Sequence, residues 1–247
     1  MPLPDNVNRY FDYIACLTPH PAYVGAANKL RLHSLTPFRR TMYLDADCVM
    51  VRDTVGAYWN AFRGHFFTLL GKKSHDGHFG PVDVAAVTRS FNAPYMVTMN
   101  SGAFYFESGP NLDTFFRLAN ELYTKHRASI SYIHRANQYA DEPILGLAMG
   151  IAGIEPQQIL PDSGSLMVTT WRARNCYFNL KDRASRIDKP TGFHFDVPVP
   201  LLAKGWVVHH PIIPHFIALK PQKLYQDLVR QVRDAFEGVP HNSFQTI

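Results

Sequence analysis

Arg40-Thr-Met-Tyr-Leu-Asp-Ala-Asp-Cys-Val-Met-Val-Arg-Asp53 is the stretch whose reading decides the fold. Met42 to Leu44 run apolar into Asp45, Ala46 and Asp47, and Cys48 to Val51 run apolar again. A short apolar run rich in β-formers is the pattern of a buried strand. Two carboxylates at its end, spaced i, i+2, point to the same side of an extended chain. They are costly to bury without partners. A divalent cation neutralises both, and carboxylate oxygens suit Mg²⁺ or Mn²⁺. The ordinary alternative is an exposed turn with solvated carboxylates. The apolar walls on either side favour the cation, because a surface turn does not need them.

On the N-terminal side, residues 1 to 9 are polar and proline-containing, and Phe11 to Leu17 reads as a strand. Ala22 to Leu35 reads as a helix that Thr36-Pro37 ends. Strand, helix and strand in that order predict a βαβ unit with parallel strands. Lys29 falls inside the helix, where its ordinary role is a solvated face residue. On the C-terminal side, Asp53 to Phe62 is a short helix and Phe66 to Leu70 a buried strand. Gly71 to Gly80 carries Lys72, Lys73, His75, Asp76 and His78, and reads as a loop near the site in preference to a metal centre. Val82 to Val87 is a further candidate strand.

Val97-Thr-Met99 leads into Asn100-Ser101-Gly102 and then the strand Ala103-Phe-Tyr-Phe106. Asn-Ser-Gly is turn chemistry. A functional reading gives Asn100 an amide for a sugar hydroxyl and gives Gly102 the task of letting a ligand near the backbone. Pro110 opens a helix to about Arg127, with Leu112, Phe115, Phe116, Ala119, Leu122 and Tyr123 on its core face. Asp141-Glu142-Pro143 opens another, Ile144 to Ala152, with Asp141 as its natural N-cap. A binding role for Asp141 stays open, since helix N-termini sit at ligand clefts in α/β proteins. Leu166 to Thr170 reads as a strand and residues 171–200 as loop-rich, broken late by Pro190, Gly192, Pro198 and Pro200. Gly205 to His210 is a short strand ending in two histidines. Residues 221–237 form an amphipathic helix striped by Leu224, Leu228, Val232 and Phe236. No repeat or long linker interrupts residues 1–247, which are read as a single domain.

The chain has 247 residues, enough for one substantial core. Hydrophobic residues make up 46% and charged residues 18%, which excludes a disordered or coiled-coil class. Net charge is +5, but Arg39-Arg40 and Lys72-Lys73 are the densest basic clusters. That excludes a dedicated nucleic-acid binder and suits an anionic small substrate or an acidic membrane surface. Cys16, Cys48 and Cys176 show neither disulfide nor zinc spacing. Together with the lack of a leader-like or membrane-spanning run, they predict a reducing, cytoplasmic setting.

The motifs fall in a familiar order. Asn28-Lys-Leu-Arg-Leu32, Tyr43-Leu-Asp-Ala-Asp47, Asn100-Ser-Gly-Ala-Phe104, Asp141-Glu-Pro-Ile-Leu145, Val207-Val-His-His210 and Lys220-Pro221 together resemble the nucleotide-sugar glycosyltransferases of the GT-A fold, family 8 most closely. The resemblance spans roughly residues 10 to 221. It implies an α/β, Rossmann-like GT-A domain with a mixed, mostly parallel central sheet. It also implies transfer of a glycosyl group, with retention, from a nucleotide-sugar, a UDP-sugar by family habit, to a saccharide, protein or lipid-linked acceptor. By the same resemblance Asp45 and Asp47 hold Mn²⁺ (or Mg²⁺) against the donor diphosphate, and His209 completes the metal site in preference to His210. Lys29 lies near the donor, as do Ala46 between the acids and the Ser101-Gly102 turn. Asn100 and Asp141 contact the donor sugar, and Lys220 faces the leaving diphosphate.

Two departures stand out. Lys220-Pro221 is followed by Gln222, with no Gly between His209 and Lys220, which makes His215 an alternative ligand. Only 44 residues precede Asp45, so the first βα structure of the family, with its base-binding strand, is expected to be short or missing. The basic, aromatic region Trp171 to Lys189 is a candidate acceptor surface or peripheral membrane contact. Three other readings compete. The Asp45 strand also looks like the nucleophile motif of haloacid-dehalogenase-type phosphatases, but Asp141-Glu142 precedes a helix instead of ending an apolar strand. A degenerate sugar-nucleotide-binding domain without activity is the second. A nucleotidyltransferase is the third, and it lacks a Gly-rich phosphate loop here.

Overall fold

The structure, a computed structural model, describes residues 11–133, 138–160, 164–179, 184–190 and 206–237. The expectations for residues 1 to 9 and for Gly192, Pro198, Pro200 and Gly205 lie outside the described residues. The acidic stretch begins as its sequence predicts, with strand β1, Arg40–Leu44, stopping where Asp45 starts. Ahead of it Gly25–Ser34 forms a 3₁₀ helix in place of an α-helix. Phe11 to Leu17 forms no strand, and Phe11 and Tyr13 stand 59% and 53% exposed. An apolar run without a pairing neighbour gains nothing from extension, so the predicted parallel βαβ unit is not formed by the described residues.

The elements that follow are α1 (Val55–Ala61), β2 (Phe67–Thr68), β3 (Gly71–Ser74), β4 (His78–Phe79), β5 (Val82–Asp83), α2 (Val84–Ser90), β6 (Met96–Met99) and β7 (Ala103–Glu107). Then come α3 (Pro110–Ile130), β8 (Tyr132–Ile133), β9 (Gln138–Tyr139), α4 (Glu142–Ala152), β10 (Ser165–Thr169), β11 (Asn175–Asn179) and β12 (Ala184–Pro190). The chain continues through β13 (Trp206–His209) and β14 (Pro211–His215) to α5 (Gln222–Glu237).

The protein is therefore mixed α/β. Its described ladders are small and mainly antiparallel: β1-β7-β2, β11-β12-β13, β3-β6, β4-β5 and β8-β9. β10 and β14 form the one parallel pair among them. The expected mostly parallel central sheet is thus not what these strands build. Strand partners are fixed by long-range register, which the order of strands and helices in sequence does not set.

Local sequence explains several departures. Val82 to Val87 does not stay extended, because the Asp83 side chain caps α2 by accepting from Ala86 N–H at 2.9 Å. Lys72 to Ser74, read as loop, pairs with Thr98 to Met96. The described part of 171–200, read as loop-rich, is largely β11 and β12. α4 lies on β6 through two glycines one turn apart. A Cβ at Gly146 would come 2.1 Å from the Val97 carbonyl oxygen, and one at Gly150 1.8 Å from that of Tyr95. The core beneath α3 is aromatic: Phe67, Phe104, Phe106, Phe115 and Phe116 are buried together, each ring contributing on the order of 1.5–3 kcal/mol by burial. α5 docks Leu224, Leu228 and Val232 on Val51, Phe178 and Phe216; the Phe236 side chain is outside the described part. No described helix is long and apolar enough to cross a membrane. The three cysteines are free thiols.

Candidate metal centre and donor cleft

β1 and β7 bring the acidic turn and the Asn100-Ser-Gly turn side by side. The Asp45 N–H donates to the Gly102 carbonyl at 2.9 Å, extending the β1–β7 register by one residue. Beyond it the chain turns, with Cys48 N–H returning to the Asp45 carbonyl at 3.0 Å. Residues 48–51 then run antiparallel to β14, through Val49 N–H to Pro214 O and Val51 N–H to Ile212 O. This places His215, the last residue of β14, directly across from Cys48.

His215, not His209, is the histidine at the acid pair. Its Nε2 lies 3.1 Å from Asp47 Oδ1 and 3.7 Å from Asp45 Oδ2. His209 sits opposite Ile187 on the β11-β12-β13 sheet, and its ionisable neighbours are Lys189 and His210. The expected ligand is corrected accordingly. Val207-Val-His209 ends a strand as expected, but the histidine beside Asp47 is the last residue of the next strand.

The tautomer of His215 follows from its other side. Gly102 N–H donates to Asn100 Oδ1 at 2.9 Å, which fixes that atom as the amide oxygen. The same oxygen lies 3.0 Å from His215 Nδ1, so Nδ1 carries the proton and donates. Burial lowers the His215 pKa, against the pull of Asp47 and Asp45. Its Nε2 faces two carboxylate oxygens, and either the ring's own proton or a cation must lie among these atoms to hold them at this distance. Two carboxylates with an imidazole suit Mn²⁺ or a similar ion. Asn100 acts from behind, orienting the ring through its distal nitrogen, as groups behind metal-bound histidines do.

Gly102 has a task the sequence reading assigned to a ligand. A Cβ there would fall 2.6 Å from His215 Cε1 and Nδ1. The glycine makes room for the imidazole.

Lys29, expected as a solvated residue unless functional, is buried. Its Nζ reaches Asp45 Oδ2 at 2.8 Å, Ser101 Oγ at 3.0 Å and Asp141 Oδ2 at 3.5 Å. Burial opposes the ammonium, but Asp141 and Asp45 together raise its pKa above the ordinary value. Asp141 does not cap α4 with its side chain. It accepts from Ser101 Oγ at 2.6 Å and is 3% exposed. Glu142, which sequence reasoning quoted without a role, accepts from Ser101 N–H at 3.2 Å. Burial first, and Asp141 next, push its pKa up to about 7. Tyr43, also missed, donates to Asp45 Oδ1 at 2.6 Å. A Tyr two residues before an acid on one strand face is a readable signal for such a bond.

An open cleft of about 710 Å³ adjoins the acids, lined among others by Asn28, Lys29, Tyr43, Ala46, Leu219 and Tyr225. Lys220 follows Leu219 with its side chain exposed, and its carbonyl accepts from Thr170 Oγ1 at 2.7 Å. The structure thus gathers Lys29, Asp45, Asp47, Asn100, Ser101, Gly102 and Asp141 around one point, with Ala46 on the cleft wall. It adds His215 and leaves His209 elsewhere. No family model matches the chain, and no curated protein or solved structure matches it.

Proposed function

We propose that the chain transfers a glycosyl group from a nucleoside-diphosphate sugar, a UDP-sugar in the first instance, to a hydroxyl-bearing acceptor, with a divalent cation held by Asp45, Asp47 and His215. The observation that carries this reading is the convergence of His215 Nε2 on two carboxylates, with its Nδ1 tied back by Asn100. The order of motifs along the chain and the adjoining cleft support it.

A cation there supplies positive charge to a departing diphosphate. The protein's own groups do the rest. Asp141 and Ser101 hold Lys29 in place, and Lys29 neutralises Asp45 at Oδ2, the oxygen nearer His215. Tyr43 fixes the rotamer of Asp45 from below. Lys220, beside the cleft-lining Leu219, adds an exposed positive charge near its rim. Asp45 has one oxygen taken by Tyr43 and the other by Lys29.

Calorimetric titration with UDP, with and without Mn²⁺, tests the proposal. UDP binding is expected to require Mn²⁺, to be lost in Asp45→Asn/Asp47→Asn and in His215→Ala, and to survive in His209→Ala. Metal-independent UDP binding, or none by the folded wild type with any nucleoside diphosphate, would sink it. With binding established, release of free sugar from a panel of UDP-sugars identifies the donor.

A further inference from the structure

We propose that Cys48 gives this centre a second coordination mode, in which Asp47, Cys48 and His215 take a thiophilic ion of the Zn²⁺ class in place of the hard ion. The inference rests on the proposed cation site but concerns a ligand that site does not use. Each of the three residues offers a ligand atom, and these atoms all lie within 4.8 Å of one another. The backbone explains why. Cys48 and His215 face each other in an antiparallel bridge, so their side chains rise on the same side. Asp47 precedes Cys48 at the turn.

Tetrahedral sites with metal–ligand bonds of about 2.0–2.3 Å have ligand atoms about 3.3–3.8 Å apart. Asp47 Oδ1 and His215 Nε2, at 3.1 Å, are already close to that spacing. Cys48 Sγ is held nearby by a 3.6 Å contact to the Gly102 carbonyl, the same residue that spaces the imidazole. The two modes differ in one ligand. The hard set takes Asp45, Asp47 and His215; the soft set exchanges Asp45 for Cys48. Thiolate, imidazole and carboxylate with a fourth position open is a donor set that Zn²⁺ and Co²⁺ favour over Mn²⁺. On binding, the S–H bond breaks, the sulfur–metal bond forms and the proton leaves to solvent. The dication is then balanced by one carboxylate and one thiolate. Zn²⁺ held in this way excludes the hard ion and inhibits the proposed transfer.

The probe is Co²⁺, titrated into the full chain and followed by absorption. Wild type is expected to show a thiolate-to-cobalt charge-transfer band with release of a proton for each ion bound. Cys16→Ser/Cys176→Ser, which leaves Cys48 as the sole thiol, is expected to keep the band. Cys48→Ser is expected to lose it, and to lose about tenfold or more in Zn²⁺ affinity while retaining Mn²⁺ binding. Should Cys48→Ser fail to fold, the band in the Cys48-only protein decides alone. Bound Co²⁺ without the band in the Cys48-only protein overturns the soft mode and leaves the hard site standing. Absence of Co²⁺ binding by a protein that still binds Mn²⁺ overturns it equally. Absence of both ions from the folded protein overturns the soft mode and the proposed cation site together.

Discussion

Replacing Gly102 by alanine tests the centre without touching a ligand. The added methyl would stand 2.6 Å from His215 Cε1 and Nδ1 and 2.9 Å from Asn100 Oδ1. Reaching ordinary contact at 3.4 Å requires a displacement of 0.8 Å (3.4 − 2.6). His215 is 4% exposed and walled by β10 and residues 48–51, so it has little room to yield. Overpacking of this kind costs about 1–3 kcal/mol of stability. The same displacement breaks the Asn100–His215 bond, and loss of such an orienting partner lowers metal affinity about 10–100-fold. Mn²⁺ affinity, read by calorimetry or by the paramagnetic resonance of the free ion, and the urea midpoint are the two readouts. Gly56→Ala is the control, since a Cβ there meets nothing within 4 Å. Wild-type Mn²⁺ affinity in Gly102→Ala would refute the argument that this glycine exists to seat the imidazole.

Two further perturbations address the charges. Lys29→Met leaves Asp45, Asp141 and Glu142 facing one another without their ammonium. Breaking a buried pair in this way costs about 3–5 kcal/mol, and Mn²⁺ is expected to raise the melting temperature of the variant more than that of wild type; equal melting temperatures without metal would contradict it. Glu142 concerns pH. Its pKa is about 7 in the folded protein against an ordinary 4.5, so the folded state holds the extra proton between those values. Its contribution is intact below the ordinary value and is lost as pH rises through 7. Between pH 5 and 8 wild type should lose about 2–3 kcal/mol relative to Glu142→Gln, measured by urea unfolding. A difference between the two proteins that is the same at both pH values would show that Glu142 is not held protonated.

Sequence carried the acidic strand and the Asn100-Ser-Gly turn because both are written locally, in apolar runs that end on polar turn residues. It carried α3 and α5 because their apolar periodicity is long and regular. It assigned no element to β14, whose Pro211 and Pro214 lack the N–H that a strand ladder uses. In the structure their missing N–H groups matter little, since their carbonyls are what Ser185 and Val49 bond. The choice of His209 came from the resemblance, in which a strand-end histidine follows two apolar residues, with His215 kept as the alternative. Which histidine meets Asp47 depends on the register between residues 48–51 and a strand more than 160 positions downstream. For Lys29 the resemblance, not its helix position, pointed to the site. A lysine on a helix is solvated unless partners arrive from elsewhere, and here they arrive from β1, the Ser101 turn and the start of α4. The mostly parallel sheet was implied by the resemblance, and the N-terminal parallel unit by element order; the described strands pair otherwise.

Asp47 serves two masters. One oxygen faces His215, while the other accepts the Ala218 N–H at 3.0 Å. That hydrogen bond pins a turn in which Ala218 and Leu219 sit at φ of 53° and 58°, a left-handed backbone that costs non-glycine residues on the order of 1–3 kcal/mol each. Leu219 forms part of the cleft wall, and α5 begins three residues later. A single carboxylate is thus the clasp of a sprung segment and a claimant on any ion that enters. Whatever an arriving cation withdraws from Asp47, the turn loses from its fastening. By reciprocity, whatever tightens the turn alters the grip on the ion. In the proposed ion-bound form, the turn that leads into the C-terminal helix would share the Asp47 carboxylate with the ion.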